Sequence, residues 1–165
     1  MIRFGILTIS DRSFQGERTD LSGPALAAEI NQAEWRVSRT GIVPDELDEI
    51  SQTLRDWCDS GDIDILLTTG GTGFASRDVT PEATLAVITR QAPGLVEAMR
   101  MESIKVTPHA MLSRAVSGIY KNTLVINLPG SPKGAVESFR VVLPVLNHAV
   151  ELITSASIPD SHHTT

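Results

Sequence analysis

Short apolar runs alternate with segments of helical spacing along the first third of the chain. Residues 3–10 form the first apolar run and predict a buried strand, and residues 22–34 place apolar side chains three and four positions apart, as in a helix. Residues 35–43 predict a second strand, which Pro44 ends. Asp45 is a suitable N-cap for the next helix. The apolar stripe of that helix consists of Leu47, Ile50, Leu54, Trp57 and Cys58.

The middle of the chain contains the clearest central strand. Residues 64–69 contain the continuous apolar run Ile65-Leu66-Leu67 and stop at two glycines, which is typical of a buried parallel strand. Thr80 and Pro81 then offer an N-cap and an N1 proline for a helix through Thr89. Pro93 opens a further helix.

The last third predicts a hairpin and a long helix. Residues 115–120 and 123–128 read as two strands joined at Lys121-Asn122, and a helix begins near Ser131-Pro132, with Pro144 expected to kink it. Strands that alternate with helices are typical of a sheet covered on both faces. The predicted fold is therefore α/β, a three-layer α/β/α arrangement with a mostly parallel sheet that the hairpin makes mixed.

Composition limits the classes of protein that the chain can belong to. The 165 residues suit one domain, which we place at residues 1–156, with residues 157–165 as a disordered polar tail. A net charge of −6 argues against nucleic acid as a partner, and no apolar stretch approaches the length of a membrane span. Cys58 has no second cysteine to pair with and is expected in the core. We expect a cytoplasmic protein.

Three predicted strand ends carry residues suited to phosphate. They are Ser10-Asp11-Arg12 followed by Ser22-Gly23, the loop Thr69-Gly70-Gly71-Thr72-Gly73, and Leu128-Pro129-Gly130-Ser131-Pro132. Ligands of open α/β sheets bind at the carboxyl ends of the strands, where glycines let backbone amides approach an anion. Neither glycine loop matches the Walker A or the dinucleotide pattern. The alternative is that these glycines only turn the chain.

Two aspartates follow predicted strand ends. Asp45 and Asp78 are candidate magnesium ligands, because this cation prefers carboxylate and phosphate oxygens. Helix capping would explain Asp45 equally well, and Asp78 could instead pair with Arg77 or lie in a surface turn. Lys121 and Lys133 are weaker candidates for anion contacts, since isolated lysines are usually solvated. The four histidines show no zinc-binding spacing.

At these residues the chain resembles the molybdopterin adenylyltransferase family of molybdenum cofactor biosynthesis, from residue 3 to residue 153. Each motif alone is weak, but their order is specific. The motifs are Thr8-Ile9-Ser10-Asp11-Arg12, Val43-Pro44-Asp45-Glu46, Leu67-Thr68-Thr69-Gly70-Gly71-Thr72-Gly73, Arg77-Asp78-Val79-Thr80-Pro81-Glu82-Ala83-Thr84, Leu112-Ser113-Arg114 and Asn127-Leu128-Pro129-Gly130-Ser131-Pro132.

The resemblance implies a Mg²⁺-dependent reaction of molybdopterin with ATP that yields adenylylated molybdopterin and pyrophosphate. It implies that Asp45 and Asp78 serve catalysis and hold magnesium. It also implies a homotrimer, and other cofactor-assembly proteins are candidate partners. The substrate pocket is then lined by Ser10, Asp11, Arg12, Ser22, Gly23, Gly70, Gly71, Thr72, Gly73, Pro129, Gly130 and Ser131.

Two other functions remain open at this point. A sister group with this fold binds pterin as an assembly module, and the resemblance implies that its version of the segment Arg77-Asp78-Val79-Thr80 differs from the catalytic type found here. Molybdate insertion, the next step, belongs to larger multidomain proteins, and a chain of 165 residues is expected to lack their extra domains.

Overall fold

The fold alternates strands and helices, in a computed structural model that describes residues 1–156. In chain order the elements are β1 (Arg3–Ile9), α1 (Asp11–Phe14), α2 (Ser22–Gln32), β2 (Arg36–Val43), α3 (Leu47–Asp59), β3 (Ile65–Thr69), α4 (Thr80–Leu85), β4 (Arg90–Gln91), α5 (Pro93–Ile104), a 3₁₀ helix (Pro108–Leu112), β5 (Ser117–Tyr120), β6 (Thr123–Leu128) and α6 (Pro132–Ser155). The predicted tail, residues 157–165, lies outside the described residues.

Within residues 1–156 the strands form one six-stranded sheet in the order β2-β1-β3-β6-β5-β4. β1, β2, β3 and β6 run parallel, while β5 pairs antiparallel with both β6 and β4. The predicted hairpin is the β5–β6 pair, so the expectation of a mostly parallel, mixed sheet is confirmed. All four parallel strands end at the same edge, which is the edge where the candidate loops begin.

The sheet is covered on both faces because successive side chains of a strand point to opposite sides. Phe4 and Ile6 of β1 pack with buried residues of α2, α5 and α6, whereas Leu7 and Ile9 pack with those of α3 and α4. This confirms the three layers. Cys58 of α3 is buried, as predicted, and burial raises its pKa to about 11, as expected for an unreactive thiol.

Two local expectations were wrong. The helix predicted through Thr89 ends at Leu85, because the chain then extends to pair β4 with β5, a contact that helical spacing does not reveal. Leu47, placed on the apolar stripe of α3, is 40% exposed because it lies in the first turn. α6 continues through Pro144, and the kink expected there stays a prediction. No helix in residues 1–156 is long and apolar enough to cross a membrane.

A buried polar network fixes the central strands against each other. Asn127 of β6 donates from Nδ2 to the hydroxyls of Thr68 and Thr84, each at 2.9 Å, and its Oδ1 accepts from the Val116 N–H at 3.1 Å. All of these side-chain groups are therefore satisfied in the interior, where an unpaired amide is costly. The network sets the position of β6, and hence of the loop that follows it.

Candidate functional site

Three loops meet at the carboxyl edge of the parallel strands, as the sequence predicted. The Gly70 N–H donates to the Leu128 carbonyl at 3.2 Å, and the Thr69 hydroxyl donates to the Pro129 carbonyl at 2.6 Å. Gly70 has a φ of +106°, and a Cβ there would collide with the carbonyl oxygen of Ile9. Glycine is therefore required for the loops to approach so closely.

A cavity of about 390 Å³, called here the polar cavity, opens between these loops. It brings together residues that are far apart in the sequence. Of the predicted site residues, those lining it are Ser10, Ser22, Asp45, Gly70, Gly71, Asp78, Gly130 and Ser131. Those outside its lining are Asp11, Arg12, Gly23, Thr72, Gly73 and Pro129.

A second, more apolar cavity of about 300 Å³ adjoins the polar one. Thr72, Gly73 and Pro129 line this apolar cavity, and Ser131 borders both cavities. The glycine loops thus separate two adjacent spaces. Arg12 is an exposed residue of α1, away from both linings.

Asp45 does not cap a helix. α3 begins at Leu47, with Glu46 in the N-cap position. Asp45 Oδ2 instead accepts from the Asp11 N–H at 2.8 Å, and Asp11 Oδ1 accepts from the Asp45 N–H at 3.0 Å. This reciprocal pair joins the loops after β1 and β2. The capping interpretation of Asp45 was wrong because the helix begins one residue later than the sequence pattern indicates, which makes Glu46 the N-cap.

The surroundings of Asp45 disfavour its ionised form. Burial raises the pKa of this carboxyl, and the nearby charges of Asp11 and Asp78 raise it further, while the hydrogen bond from the Asp11 backbone and the charge of Arg77 oppose them. Asp45 Oδ1 accepts no hydrogen bond from the described part of the chain. A half-buried carboxylate with a free oxygen beside a second carboxylate is suited to a cation.

Arg77 joins the loop after β3 to the ends of β1 and β2. Its guanidinium donates to Asp11 at 2.6 and 3.1 Å and to Glu46 at 2.8 Å. The hydrogen bond from Arg77 lowers the pKa of Asp11. Arg77 therefore pairs with these two acids, and the alternative in which it pairs with Asp78 was wrong. The Asp78 carboxylate accepts from the Ala75 N–H at 3.0 Å through Oδ2.

Arg114 holds the same loop from its other side. It donates to the Gly73 carbonyl at 2.8 Å and to the Asp78 carbonyl at 2.6 Å, and it also pairs with Glu82. The Arg114 N–H bonds the Thr72 carbonyl at 2.8 Å. Sequence reasoning included Arg114 in a family motif but assigned it no role. Its contacts fix the backbone that carries Asp78.

Gly71 lies where no side chain fits. Its φ is +68°, and a Cβ would collide with the Thr80 hydroxyl and lie 3.1 Å from Asp45 Oδ1. Thr80, predicted as an N-cap, is itself the first residue of α4, and its hydroxyl donates to the Gly70 carbonyl at 2.8 Å. That prediction was wrong because the hydroxyl bonds the glycine loop and not its own helix.

Gly71→Val should lower the free energy of unfolding by about 1–3 kcal/mol, because a β-branched residue is strained at positive φ and collides with Thr80. Urea denaturation measures the loss. Gly16→Val is the matched control, since Gly16 also has a positive φ, +77°, but no atom lies within 4 Å of its Cβ position. Equal losses in the two variants would mean that the contact with Thr80 contributes nothing.

Asp20 is a residue of the polar cavity that the sequence analysis did not select. Its carboxylate accepts from the backbone N–H groups of Ser22 and Gly23, both at 3.1 Å, and from the Thr8 hydroxyl at 2.8 Å. Asp20 lines the polar cavity, and Gly23 packs against the Asp20 carboxylate. Asp20 thus caps the first N–H groups of α2, and an aspartate two residues before a helix start is a sequence signal for this kind of cap. Asp20 thus fixes the start of α2 at the cavity.

The two lysines considered as anion ligands belong to ion pairs. Lys121 in the β5–β6 turn pairs with Asp59 at 2.5 Å, at the edge opposite the cavity. Lys133 lies 3.8 Å from Glu137 on the exposed side of α6. The solvated interpretation of these side chains fits their positions.

The protein itself offers few ligands to a metal. Residues 1–156 contain no group of three or more histidine, cysteine or acidic side chains placed to hold one ion. Asp78 is close enough to Asp45 for its charge to raise the pKa of Asp45. Two carboxylates fit magnesium, which commonly completes its coordination with water and substrate phosphates, but they do not fit an all-protein metal cage.

Comparison with known proteins places this chain in a family. The family model described as "Probable molybdopterin binding domain" matches residues 5–148. The molybdopterin adenylyltransferase of Helicobacter pylori J99 is 43% identical over 92% of this chain and 88% of its own length. That of Escherichia coli K12 is 42% identical over 96% of this chain and 82% of its own length.

Larger proteins and solved structures are similar to the chain as well. The molybdenum cofactor synthesis protein cinnamon of Drosophila melanogaster is 49% identical, but the chain spans only 26% of its length, and it spans 24% of Dictyostelium discoideum gephyrin. The crystal structure of the molybdopterin biosynthesis enzyme MoaB from Thermus thermophilus is 49% identical, covers 94% of this chain and 98% of its own, and superposes with a TM-score of 0.89. By its motifs, fold and relatives, the chain belongs to the molybdopterin-binding domain family of molybdenum cofactor biosynthesis.

Proposed function

We propose that this protein transfers AMP from ATP to molybdopterin in a Mg²⁺-dependent reaction that releases pyrophosphate. The observation that carries the proposal is the pairing of Asp45 and Asp78 at one cavity whose other walls are the glycine loops. The names of the H. pylori and E. coli relatives support it. Phosphoryl transfer needs positioning and charge neutralisation more than a protein nucleophile, and this site offers both.

Different residues of the chain bind the metal, orient the phosphates and position the loops. Asp45 and Asp78 hold magnesium, which when bound neutralises charge on the phosphates. Backbone N–H groups of the glycine loops orient the ATP phosphates toward the terminal phosphate of the pterin, whose oxygen attacks the α-phosphorus. The bond from the α-phosphorus to the bridging oxygen breaks, and pyrophosphate leaves. Arg77 and Arg114 keep the loop of Asp78 in place.

Two adjoining cavities suit a reaction of two substrates. The polar cavity contains the carboxylates and glycine loops, and the apolar cavity extends from Ser131 along α5 and α6. The second candidate function is a pterin-binding assembly module without turnover. A family model described as "Probable molybdopterin binding domain" is compatible with this candidate, while the presence of both aspartates in the cavity favours the enzyme.

The deciding experiment is an assay of the purified protein with molybdopterin, ATP and magnesium, in which adenylylated molybdopterin and pyrophosphate are both measured. Equal amounts of the two products are expected. An ATP analogue with a methylene group between the α- and β-phosphorus is the control, because it binds but cannot release pyrophosphate. Tight molybdopterin binding without adenylylated product would favour the assembly module and overturn the enzyme.

We also propose a homotrimer that works in the cytoplasm, with other cofactor-assembly proteins as further partners. Exposed apolar side chains on α5, on the 3₁₀ helix and between the two, among them Met101, Val106 and Met111, support self-association. Light scattering at micromolar concentration should give three times the mass of the chain. A monomer at that concentration would contradict the trimer.

A further inference from the structure

The polar cavity is acidic although its proposed ligands are polyanions. Asp20, Asp45 and Asp78 all line it. Of the cavity-lining residues described, Arg18 alone carries a cationic side chain. Two phosphorylated substrates cannot approach three carboxylates without compensating positive charge. Magnesium at Asp45 and Asp78 compensates only part of that charge.

The guanidinium of Arg18 is not engaged elsewhere. Within residues 1–156 it forms no hydrogen bond or ion pair, and it does not pair with any of the three carboxylates of the cavity. Other arginines of the site are committed: Arg77 to Asp11 and Glu46, and Arg114 to Glu82 and backbone carbonyls. Arg18 therefore has all of its donors available to a ligand.

The backbone near Arg18 is anchored even though its side chain is exposed. Arg18 lies between α1 and α2, and two residues later Asp20 is held by three hydrogen bonds, to Thr8 and to the first residues of α2. Thr19 and Leu21, on either side of Asp20, also line the cavity. The segment that carries Arg18 is thus fixed at the cavity wall, and only the side chain has to close on a ligand.

We propose that Arg18 is a substrate-binding residue that contacts a phosphate group of the bound substrate, an inference that rests on the proposed function. A planar guanidinium donates two parallel hydrogen bonds to two phosphate oxygens in a fixed geometry, whereas a lysine ammonium acts as a compact point charge without that geometry. Arg18 supplies the positive charge that the glycine loops and the carboxylate pair lack. The phosphate belongs either to ATP or to the pterin, and both offer the same chemistry.

Arg18→Gln tests the proposal, since it removes the charge and keeps much of the side-chain length. Calorimetric titration with magnesium pyrophosphate should show about tenfold weaker binding, the size expected for one exposed charge-assisted contact. Steady-state kinetics assign the phosphate: KM rises for ATP alone if Arg18 binds the nucleotide, and for molybdopterin alone if it binds the pterin phosphate. Arg18→Lys should recover part of the loss.

Arg36→Gln is the matched control. Arg36 is an exposed arginine at the start of β2, at the edge of the sheet opposite the cavity, so this variant changes the net charge equally. Weaker pyrophosphate binding in Arg18→Gln but not in Arg36→Gln supports the contact. Equal effects, or unchanged binding and unchanged KM for both substrates in Arg18→Gln, would overturn it. Pyrophosphate binding needs no turnover, so failure of the adenylylation assay alone would reject the proposed enzyme and leave the Arg18 contact testable.

Discussion

Asp45→Asn should reduce adenylylation about a thousandfold while leaving the melting temperature unchanged or raised. The loss follows because a neutral amide is a poor magnesium ligand, and removing several kcal/mol of charge stabilisation costs a factor of ten for each ~1.4 kcal/mol. The asparagine carbonyl can still accept a hydrogen bond from the Asp11 N–H, so the contact between the loops after β1 and β2 is kept. Initial rates at saturating substrates and thermal unfolding measure the two effects.

The stability of this variant separates a functional carboxylate from a structural one. Folding raises the pKa of Asp45, so its ionised form destabilises the folded state at any pH above its ordinary value, and removing the charge relieves that cost. Asp48→Asn, in the exposed first turn of α3, removes an equal charge that favours the helix, so it should keep activity and melt slightly lower. A large drop in the melting temperature of Asp45→Asn would contradict this account.

The same pKa shift predicts an acid limit for the proposed activity. Burial raises the pKa of Asp45 in the metal-free protein, so a proton competes for this carboxylate more strongly than for an ordinary aspartate, and turnover should decline as pH falls and Asp45 is protonated. Protons and magnesium compete for the same oxygens, so a higher magnesium concentration should move the decline to lower pH.

Asp78→Asn should also reduce turnover about a thousandfold, with folding and pterin binding retained. Its backbone is held independently of its charge, because Arg114 donates to the Asp78 carbonyl and not to the carboxylate. The asparagine carbonyl can still accept from Ala75. Turnover measured beside calorimetric titration with molybdopterin shows whether catalysis is lost without binding. Full activity would remove Asp78 from the mechanism.

A double variant tests whether the two aspartates act as one unit. If both hold the same ion, Asp45→Asn combined with Asp78→Asn should be little slower than either single variant, because the second change removes a ligand from a site already lost. Multiplied losses would indicate two separate roles. Mn²⁺ affinity measured by electron paramagnetic resonance gives a readout that does not depend on turnover.

The strands and the loops at their ends were predictable because both follow local rules. Residues 64–69 contain enough apolar side chains to predict a strand buried on both faces. The loop that follows needs positive φ at its first two positions, and both are glycines, the residue that adopts positive φ most easily. β4 was not predictable, since two exposed residues carry no alternation and extend only because β5 lies beside them. The start of α3 was not predictable either, and Glu46 rather than Asp45 is its N-cap.

The sequence by itself determined the alternation of strands and helices, the mixed sheet and the family, and it singled out Asp45 and Asp78, which line one cavity. Local propensity, side-chain periodicity and motif order suffice for these features, because each is written in neighbouring residues. Only the tertiary structure decided what the charged residues do. Asp45 and Asp11 form a hydrogen bond although they are 34 positions apart, and Arg77 and Asp11 form one although they are 66 positions apart. The Arg18 side chain forms no hydrogen bond or ion pair among residues 1–156. Hydrogen bonds and charges act through space, and the distances that govern them exist only once the strands have brought their ends together.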